Sequence, residues 1–230
     1  MSRTRNFYLT LIFAHPLSTY AQSLDGLWHH STYTLIASFR ELISRTESSL
    51  SLTHPAGPRK TKSQNSPAQI ELRKVLTRFR QALASEEGFY RGLVSRIVAF
   101  YQLQSVAGKY LGSVGVGIAV GDGVEGGAPA MGAEEKREKV GLVYKGLICV
   151  GDLERYREQY SDRGRRERKG GREREGRGEE RFGTAKMYYE VARGLQPDDG
   201  ESSTGFLRLS LMGSRIGIQS ARCDLDICER

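Results

Sequence analysis

The chain has 230 residues, with 35 lysines and arginines against 27 acids and a formal net charge of +8. This length suits one or two domains, and a hydrophobic share of 38% with 27 glycines predicts that part of the chain stays outside any core. Three cysteines without metal-like spacing argue against a disulfide scaffold and a zinc site. No apolar run is long enough to span a bilayer. The basic balance permits a nucleic-acid or phosphate partner without demonstrating one.

Residues 1–22 allow two interpretations. Arg3 and Arg5 precede an apolar run over 7–14, as in the secretory signal peptides that are removed from mature proteins. The run is short, however, and His15-Pro16 interrupts its end. These features favour a soluble N-terminal segment over a signal peptide.

The first half of the main domain, residues 23–103, begins with a predicted helix over 25–45. Its apolar side chains recur at helical spacing. They are Trp28, Leu35, Phe39 and Leu42, with Ile36 and Ile43 widening the stripe. The following stretch, 46–65, is rich in serine, threonine, proline and lysine, and therefore predicts a loop.

A second, much longer helix is predicted after this loop. Ser66 is a good N-cap, Pro67 suits the first helical position, and Gln69 completes a capping box. Apolar residues then recur at helical spacing as far as residue 101, which predicts one helix of about 35 residues. Gly88 and Gly92 are expected to bend it or to admit a close neighbour.

Residues 104–133 are rich in glycine and predict a flexible linker. Within them, the run 115–121 (GVGIAVG) imitates a dinucleotide-binding loop, on which a nucleotide-dependent enzyme would depend. Such a loop needs a preceding strand and a following helix. A long helix is predicted before it and more glycines follow, so the linker is the favoured interpretation.

The second half of the domain is predicted over 134–200. A helix from 134 to about 159 is apolar on two faces, which indicates burial between neighbours and a packed thiol for Cys149. A short helix over 184–195 follows. Ala185, Tyr189, Ala192 and Pro197 have the spacing of the second helix of a tetratricopeptide repeat, and Gly151 marks the first.

A charged insertion separates these two helices. The tract 161–181 has nine basic residues, six acids and five glycines, without one apolar side chain. We therefore expect the insert 161–182 to be disordered, either as a solvated loop or as an RNA-binding tract. The tail 201–230 alternates weakly like a strand, and no function is indicated for it.

Two stretches carry a family resemblance: 146–158 (GLICVGDLERYRE) and 185–200 (AKMYYEVARGLQPDDG). They resemble the Est/Smg family of telomerase-associated Est factors and Smg adaptors of nonsense-mediated mRNA decay. The resemblance extends over 27–103 and 134–200 and is strongest to fungal members. It implies an all-α fold of 14-3-3-like, tetratricopeptide-like antiparallel helical hairpins, here with disordered Gly-rich and Arg/Gly-rich insertions.

The resemblance also implies a site, since some family members bind phosphoserine peptides in a concave groove. Matched to the Gly-Asp-x-x-Arg-Tyr motif, Arg155 would clamp the phosphate and Tyr156 would donate a hydroxyl. Arg40 falls on a basic position of the first helix, whereas Tyr33 stands where the motif has lysine and would line the groove. The alternative for Arg155 is an ion pair with Asp152 or Glu158 of its own helix.

We therefore expect a non-enzymatic adaptor of nonsense-mediated mRNA decay, of telomerase regulation, or of both, in the nucleus and cytoplasm. Its expected partner is a phosphorylated protein of the mRNA surveillance machinery, with association to the telomerase RNP, and we expect no cofactor, metal or membrane. The alternative is direct binding of RNA or telomeric single-stranded DNA by the basic helices and insert. The inserts and the divergent tail indicate that the sequence is a truncated fragment or includes translated intron sequence. In a fragment, the last helical hairpin would lack the neighbour that covers its apolar face.

Overall fold

The computed structural model describes residues 2–14, 20–52, 67–117, 132–161 and 182–195. Every regular element within these ranges is helical, which confirms the all-α fold class. The elements are α1 (Ser2–Ala14), α2 (Tyr20–Leu27), a π-helical turn (Trp28–Tyr33), α3 (Thr34–Leu52), α4 (Pro67–Phe100), α5 (Gln104–Leu111), a 3₁₀ turn (Gly112–Val114), α6 (Ala133–Gln159) and α7 (Gly183–Leu195). These residues belong to one unit, Met1–Leu195. The predicted tail 201–230, nearly all of the insert 161–182 and Pro197 lie outside the described residues.

Helices α3 and α4 pack side by side and run in opposite directions. The ring of Phe39 lies 5.1 Å from that of Phe79, and the hydroxyl of Thr32 donates to the Glu86 carboxylate at 2.7 Å. Thr32 precedes Phe39 in the chain, whereas its partner Glu86 follows Phe79, so the two helices are antiparallel. Both contacts are buried or partly buried, so α3 covers the first face of the long helix.

Helix α6 packs antiparallel on α4 and on α7. Arg157 donates to Glu87 of α4 at 2.8 Å, while the amide of Phe182, just before α7, donates to Glu158 at 2.8 Å. Tyr189 of α7 packs over Gly151, where an added Cβ would lie 2.6 Å from the ring. Helices α3, α4, α6 and α7 form a consecutive antiparallel array, and α6 is buried between two neighbours.

The N-terminal segment contributes α1, which runs parallel to α4. Arg5 forms an ion pair with Glu86, and the ring of Phe13 lies 5.3 Å from that of Phe100. Ile12 is fully buried, and its carbonyl accepts the hydroxyl of Tyr101. Described residues of the predicted segment 1–22 are therefore part of the helical core.

The buried face of α3 differs from the predicted stripe. Ile36 and Ile43 are 0% and 4% exposed, whereas Leu42 is 45% exposed. The cause is the π-helical turn that ends at Tyr33, since its wider turn holds an extra residue and rotates everything after it. Trp28 stays buried beside Tyr90. Ile36 and Ile43, which the sequence predicts only to widen the stripe, therefore lie at the centre of the buried face.

The predicted loop over 46–65 is wrong in its first part, because α3 continues to Leu52. The serines and threonines there bond their hydroxyls to carbonyls four residues back: Thr46 to Leu42, Ser48 to Ser44 and Ser49 to Arg45. Such bonding lets these residues remain helical on an exposed surface.

The long helix is confirmed, since α4 starts at Pro67 and runs for 34 residues. Close approach at Gly88 and Gly92 is not observed, because no described atom lies within 4 Å of a Cβ built there. The close contacts occur on α6 instead. A Cβ at Gly146 would lie 2.6 Å from Val94, as at Gly151 with Tyr189.

The predicted linker over 104–133 is ordered in its first part. Helix α5 and the 3₁₀ turn place apolar side chains in the core: Ala107, Leu111, Val114 and Val116. Their burial outweighs the low helix propensity of the glycines around them. Residues 118–131 lie outside the described residues.

Replacing glycine by alanine should have opposite effects on stability at Gly151 and at Gly88. Gly151→Ala forces Tyr189 to shift, and we expect unfolding to become easier by about 1–3 kcal/mol, as for other overpacked cores. Gly88→Ala meets open space on a helix, and we expect a gain of about 0.5–1 kcal/mol. Urea unfolding followed by circular dichroism measures both. Equal effects at the two positions would contradict the packing of Tyr189 on Gly151.

Candidate functional site

Arg155 lies on α6 and is largely buried, with 12% of its side chain exposed. Its Nε and one terminal nitrogen both lie 3.3 Å from Asp152 Oδ1. The guanidinium also lies 4.7 Å from the ring centre of Tyr156, the next residue. Arg155 therefore forms the predicted ion pair within its own helix, with Asp152 as its partner. Glu158, the other acid considered, accepts the amide of Phe182 instead.

Asp152 is itself held from the neighbouring helix. The hydroxyl of Tyr189 on α7 donates to Asp152 Oδ1 at 2.8 Å, and both residues are 8% exposed. The sequence pattern predicts the ring of Tyr189 as a groove filler but not the bond of its hydroxyl. The sequence hints at this hydrogen bond only in that residue 189 is a tyrosine, although a phenylalanine would fill the same space.

The charges around Arg155 keep it cationic. Burial on its own lowers the pKa of Arg155, but Asp152, Tyr156 and Tyr189 act in the other direction, and the pKa lies above its ordinary value. A buried, permanently charged guanidinium is a strong attractor for an anion.

The other two predicted residues lie on the π-helical turn and on α3. Tyr33 ends the π-helical turn, and Arg40 lies seven residues later on the same face, about 10 Å further along the helix. Both are exposed, Tyr33 by 40%. Burial raises the pKa of Tyr156, Arg155 and Arg40 lower it, and Asp152 and Tyr33 raise it. Arg40 and Tyr33 thus lie near enough to Tyr156 to shift its pKa, and Arg155 is its neighbour on α6.

The chain matches a known protein family. The family described as "Telomerase activating protein Est1" matches residues 22–161, more than half of the chain.

The chain belongs to this Est1 family.

The match spans Arg40 on α3 and Arg155 on α6 and stops before α7. It confirms the Est/Smg-type resemblance. No curated protein and no solved structure matches the chain.

The glycine run over 115–121 does not form a phosphate cradle in its described part. Gly115 has a left-handed backbone (φ 65°) and follows a 3₁₀ turn, not a strand. Its amide bonds the Gly112 carbonyl, and its own carbonyl accepts Arg91 at 2.7 Å. A cradle needs amides directed at the ligand. In this Est1-family chain, Gly115 supports the turn that packs Val114 and Val116.

Among the described residues, Cys149, His29 and His30 have packing or hydrogen-bond contacts. Burial raises the pKa of Cys149 well above its ordinary value, as expected of a packed thiol. His30 contacts Tyr8 and the Gly26 carbonyl through Nδ1, and His29 contacts Tyr33 through its ring. Among the described residues, no group of three acids, histidines or cysteines is placed to hold a metal, and no helix is long and apolar enough to cross a membrane.

A second group of charges joins α4 to α6. Glu87 and Glu154, each with 12% of its side chain exposed, share Arg157 at 2.8 and 3.0 Å, and Arg91 bonds Glu87 at 3.2 Å. Burial and the nearby Glu87 carboxylate raise the pKa of Glu154, although Arg157 opposes them. A carboxylate beside another and shielded from water favours its protonated form, as the raised pKa of Glu154 shows.

This raised pKa predicts how stability depends on pH. A carboxyl whose pKa is higher in the folded state stabilises it below the unfolded value, about 4.3, and loses that contribution as the pH rises through the folded pKa. We expect wild type to gain stability relative to Glu154→Gln as the pH falls from 7 towards 5. Urea unfolding across this range measures the difference. A constant difference, or one that widens in favour of wild type at higher pH, would contradict the raised pKa. Glu190→Gln, an exposed glutamate on α7, is the control.

Proposed function

We propose that this Est1-family chain is a non-enzymatic adaptor that binds a phosphorylated protein partner. The proposed phosphate site comprises Arg155, Arg40 and Tyr156, with Tyr33 lining the groove. The supporting observation is that the Arg155 guanidinium lies 4.7 Å from the Tyr156 ring centre, while Arg40 on α3 is near enough to lower the pKa of Tyr156. A phosphoserine carries nearly two negative charges and three acceptor oxygens, and clustered arginines bind it best.

The geometry of Arg155 suits this role. Asp152 takes the edge of the guanidinium formed by Nε and one terminal nitrogen. The adjacent edge, formed by the two terminal nitrogens, shares one nitrogen with the first, and it is the edge that we assign to phosphate. Two parallel N–H donors on a rigid plane match two phosphate oxygens, which a flexible ammonium does not.

The family membership suggests where this binding acts. Partners of this chemistry are a phosphorylated component of the telomerase RNP or of the mRNA surveillance machinery, in the nucleus and, for mRNA decay, in the cytoplasm. The proposed binding needs no cofactor, because the side chains supply all the charge.

Fluorescence anisotropy with two degenerate peptide pools tests the proposal. One pool has a fixed central phosphoserine and the other a serine. We expect the phosphorylated pool to bind about tenfold tighter or more, the effect of one or two charge-assisted hydrogen bonds. Equal affinity for the two pools would refute phosphate recognition.

Direct binding of RNA or telomeric single-stranded DNA is the second candidate. Its support is a basic outer surface on α4, where Arg73, Lys74 and Arg78 are exposed, together with the telomerase association of the family. Such binding falls steeply with salt because counterions are released. Filter binding with poly(U) and a telomeric oligonucleotide, before and after deletion of 161–182, tests it. Affinity that is independent of salt would reject this candidate.

A further inference from the structure

We propose that Asp152 and Tyr189 are positioning residues that fix the orientation of the Arg155 guanidinium for an oxyanion. The inference rests on the proposed phosphate site and adds to it a support that comes from α7. It also predicts that anion affinity depends on the docking of α7 against α6.

The contacts form a relay across the helix pair. Tyr189 donates its hydroxyl to Asp152 Oδ1 at 2.8 Å, and the same oxygen accepts from Arg155 at 3.3 Å. The hydroxyl oxygen of Tyr189 also accepts a hydrogen bond from the Arg155 guanidinium. Asp152 and Tyr189 are almost completely buried, which removes competing water from the relay. One carboxylate oxygen therefore holds one edge of the guanidinium, and the tyrosine fixes where that oxygen lies.

The ring and the hydroxyl of Tyr189 have separable roles. The ring packs on Gly151, and a Cβ there would lie 2.6 Å from it, so the ring position is set by the close approach of α6 and α7. Phenylalanine fills the same space. The hydroxyl therefore contributes little to packing, and it orients Arg155 both directly and through Asp152.

Orientation matters because phosphate recognition by arginine is directional. Two parallel hydrogen bonds form only when the guanidinium plane faces the phosphate oxygens. Long side chains lose rotamer entropy when a ligand orders them. An arginine already held by Asp152 has lost that freedom before the ligand arrives, so binding costs less.

Tyr189→Phe in the full chain isolates this effect, because it changes neither the net charge nor the ring. With the phosphoserine peptide pool as probe, we expect affinity to fall about fivefold, the effect of one hydrogen bond of ordinary strength. The serine pool should bind unchanged. Tyr188→Phe is the matched control, since its hydroxyl contacts the Val114 carbonyl at 3.4 Å and no part of the site.

A double-mutant cycle distinguishes positioning from a general structural role. We expect Tyr189→Phe to have no effect on phosphoserine binding in an Arg155→Ala background, because the residue that it orients is gone. A loss of the same size in both backgrounds, or an equal loss in Tyr188→Phe, would overturn the proposal.

The failure of this inference is distinguishable from failure of the proposed function. If the phosphoserine and serine pools bind wild type equally, the phosphate site is wrong and the relay with it. If phosphoserine binding depends on Arg155 but Tyr189→Phe binds like wild type, the site stands and the positioning role is overturned.

Discussion

Arg5→Met should lower the free energy of unfolding by about 3–5 kcal/mol, because it removes the partner of a buried charge. The Glu86 side chain is 5% exposed and is held by Arg5 from α1 and by Thr32 from the π-helical turn. Without Arg5, its charge stays buried with one neutral donor from Thr32. Arg5 also lies over the Phe89 ring at 4.6 Å, so the variant loses this contact as well.

Two variants check that interpretation. Arg3→Met removes an exposed arginine of the same helix and should change stability by less than about 0.5 kcal/mol. Arg5→Met combined with Glu86→Met replaces the whole ion pair by apolar groups and should recover most of the loss. Chemical unfolding of all three measures the differences. An effect of Arg5→Met no larger than that of Arg3→Met would contradict the buried pair.

Arg155→Ala should weaken binding of a phosphoserine peptide by about 30-fold or more, as truncation of one partner of a desolvated charge pair does. The guanidinium is held in place before binding, so the variant loses both the charge and its ordered geometry. Arg155→Lys keeps the charge but loses the planar fork, and we expect an intermediate loss. Isothermal titration calorimetry with one phosphoserine peptide measures all three proteins.

Arg193→Ala controls for net charge in that series. Arg193 is exposed on α7 and should change phosphopeptide affinity by less than twofold, within the range of a screened surface charge. Thermal unfolding of Arg155→Ala shows whether the fold survives, since Asp152 keeps the Tyr189 hydroxyl as a donor. A loss in Arg193→Ala equal to that in Arg155→Ala would indicate general charge attraction and contradict a defined site.

Local sequence signals predicted the elements in which propensity and burial agree. Helix α4 carries an uninterrupted apolar stripe behind a Ser-Pro start, and the predicted length of about 35 residues is close to the observed 34. Helix α7 was predicted from the same kind of pattern. The predictions from sequence fail where packing against other helices determines the local structure. Val114 and Val116, for example, are buried in a glycine-rich stretch that local signals predict to be a linker.

The π-helical turn shows another limit of prediction from the sequence. A period of 3.6 residues placed Leu42 on the buried face, but the wider turn before Thr34 rotates α3 and exposes it. Tyr33 is the last residue of this turn, and Arg40 follows it on α3.

The candidate site likewise combines contacts that the sequence predicts with contacts that it does not. The motif identified Arg155 and Tyr156, and helical spacing indicated Asp152 as a partner of Arg155. The Tyr189 hydroxyl comes from a helix separated from α6 by the tract 161–182, and only the packing of its ring on Gly151 brings it to Asp152. Contacts within one helix are predictable from spacing, whereas contacts between helices need the packed structure.

The central claim is that α3 and α6 together form a site for a phosphate group. Its most direct test is the ratio of dissociation constants for one peptide without and with phosphoserine, measured by calorimetry on wild type, Arg40→Ala and Arg155→Ala. We predict a ratio of about ten or more in wild type and a smaller ratio in both variants, because each arginine supplies charge to the same phosphate. A wild-type ratio near one, or a ratio that neither variant reduces, would contradict the claim.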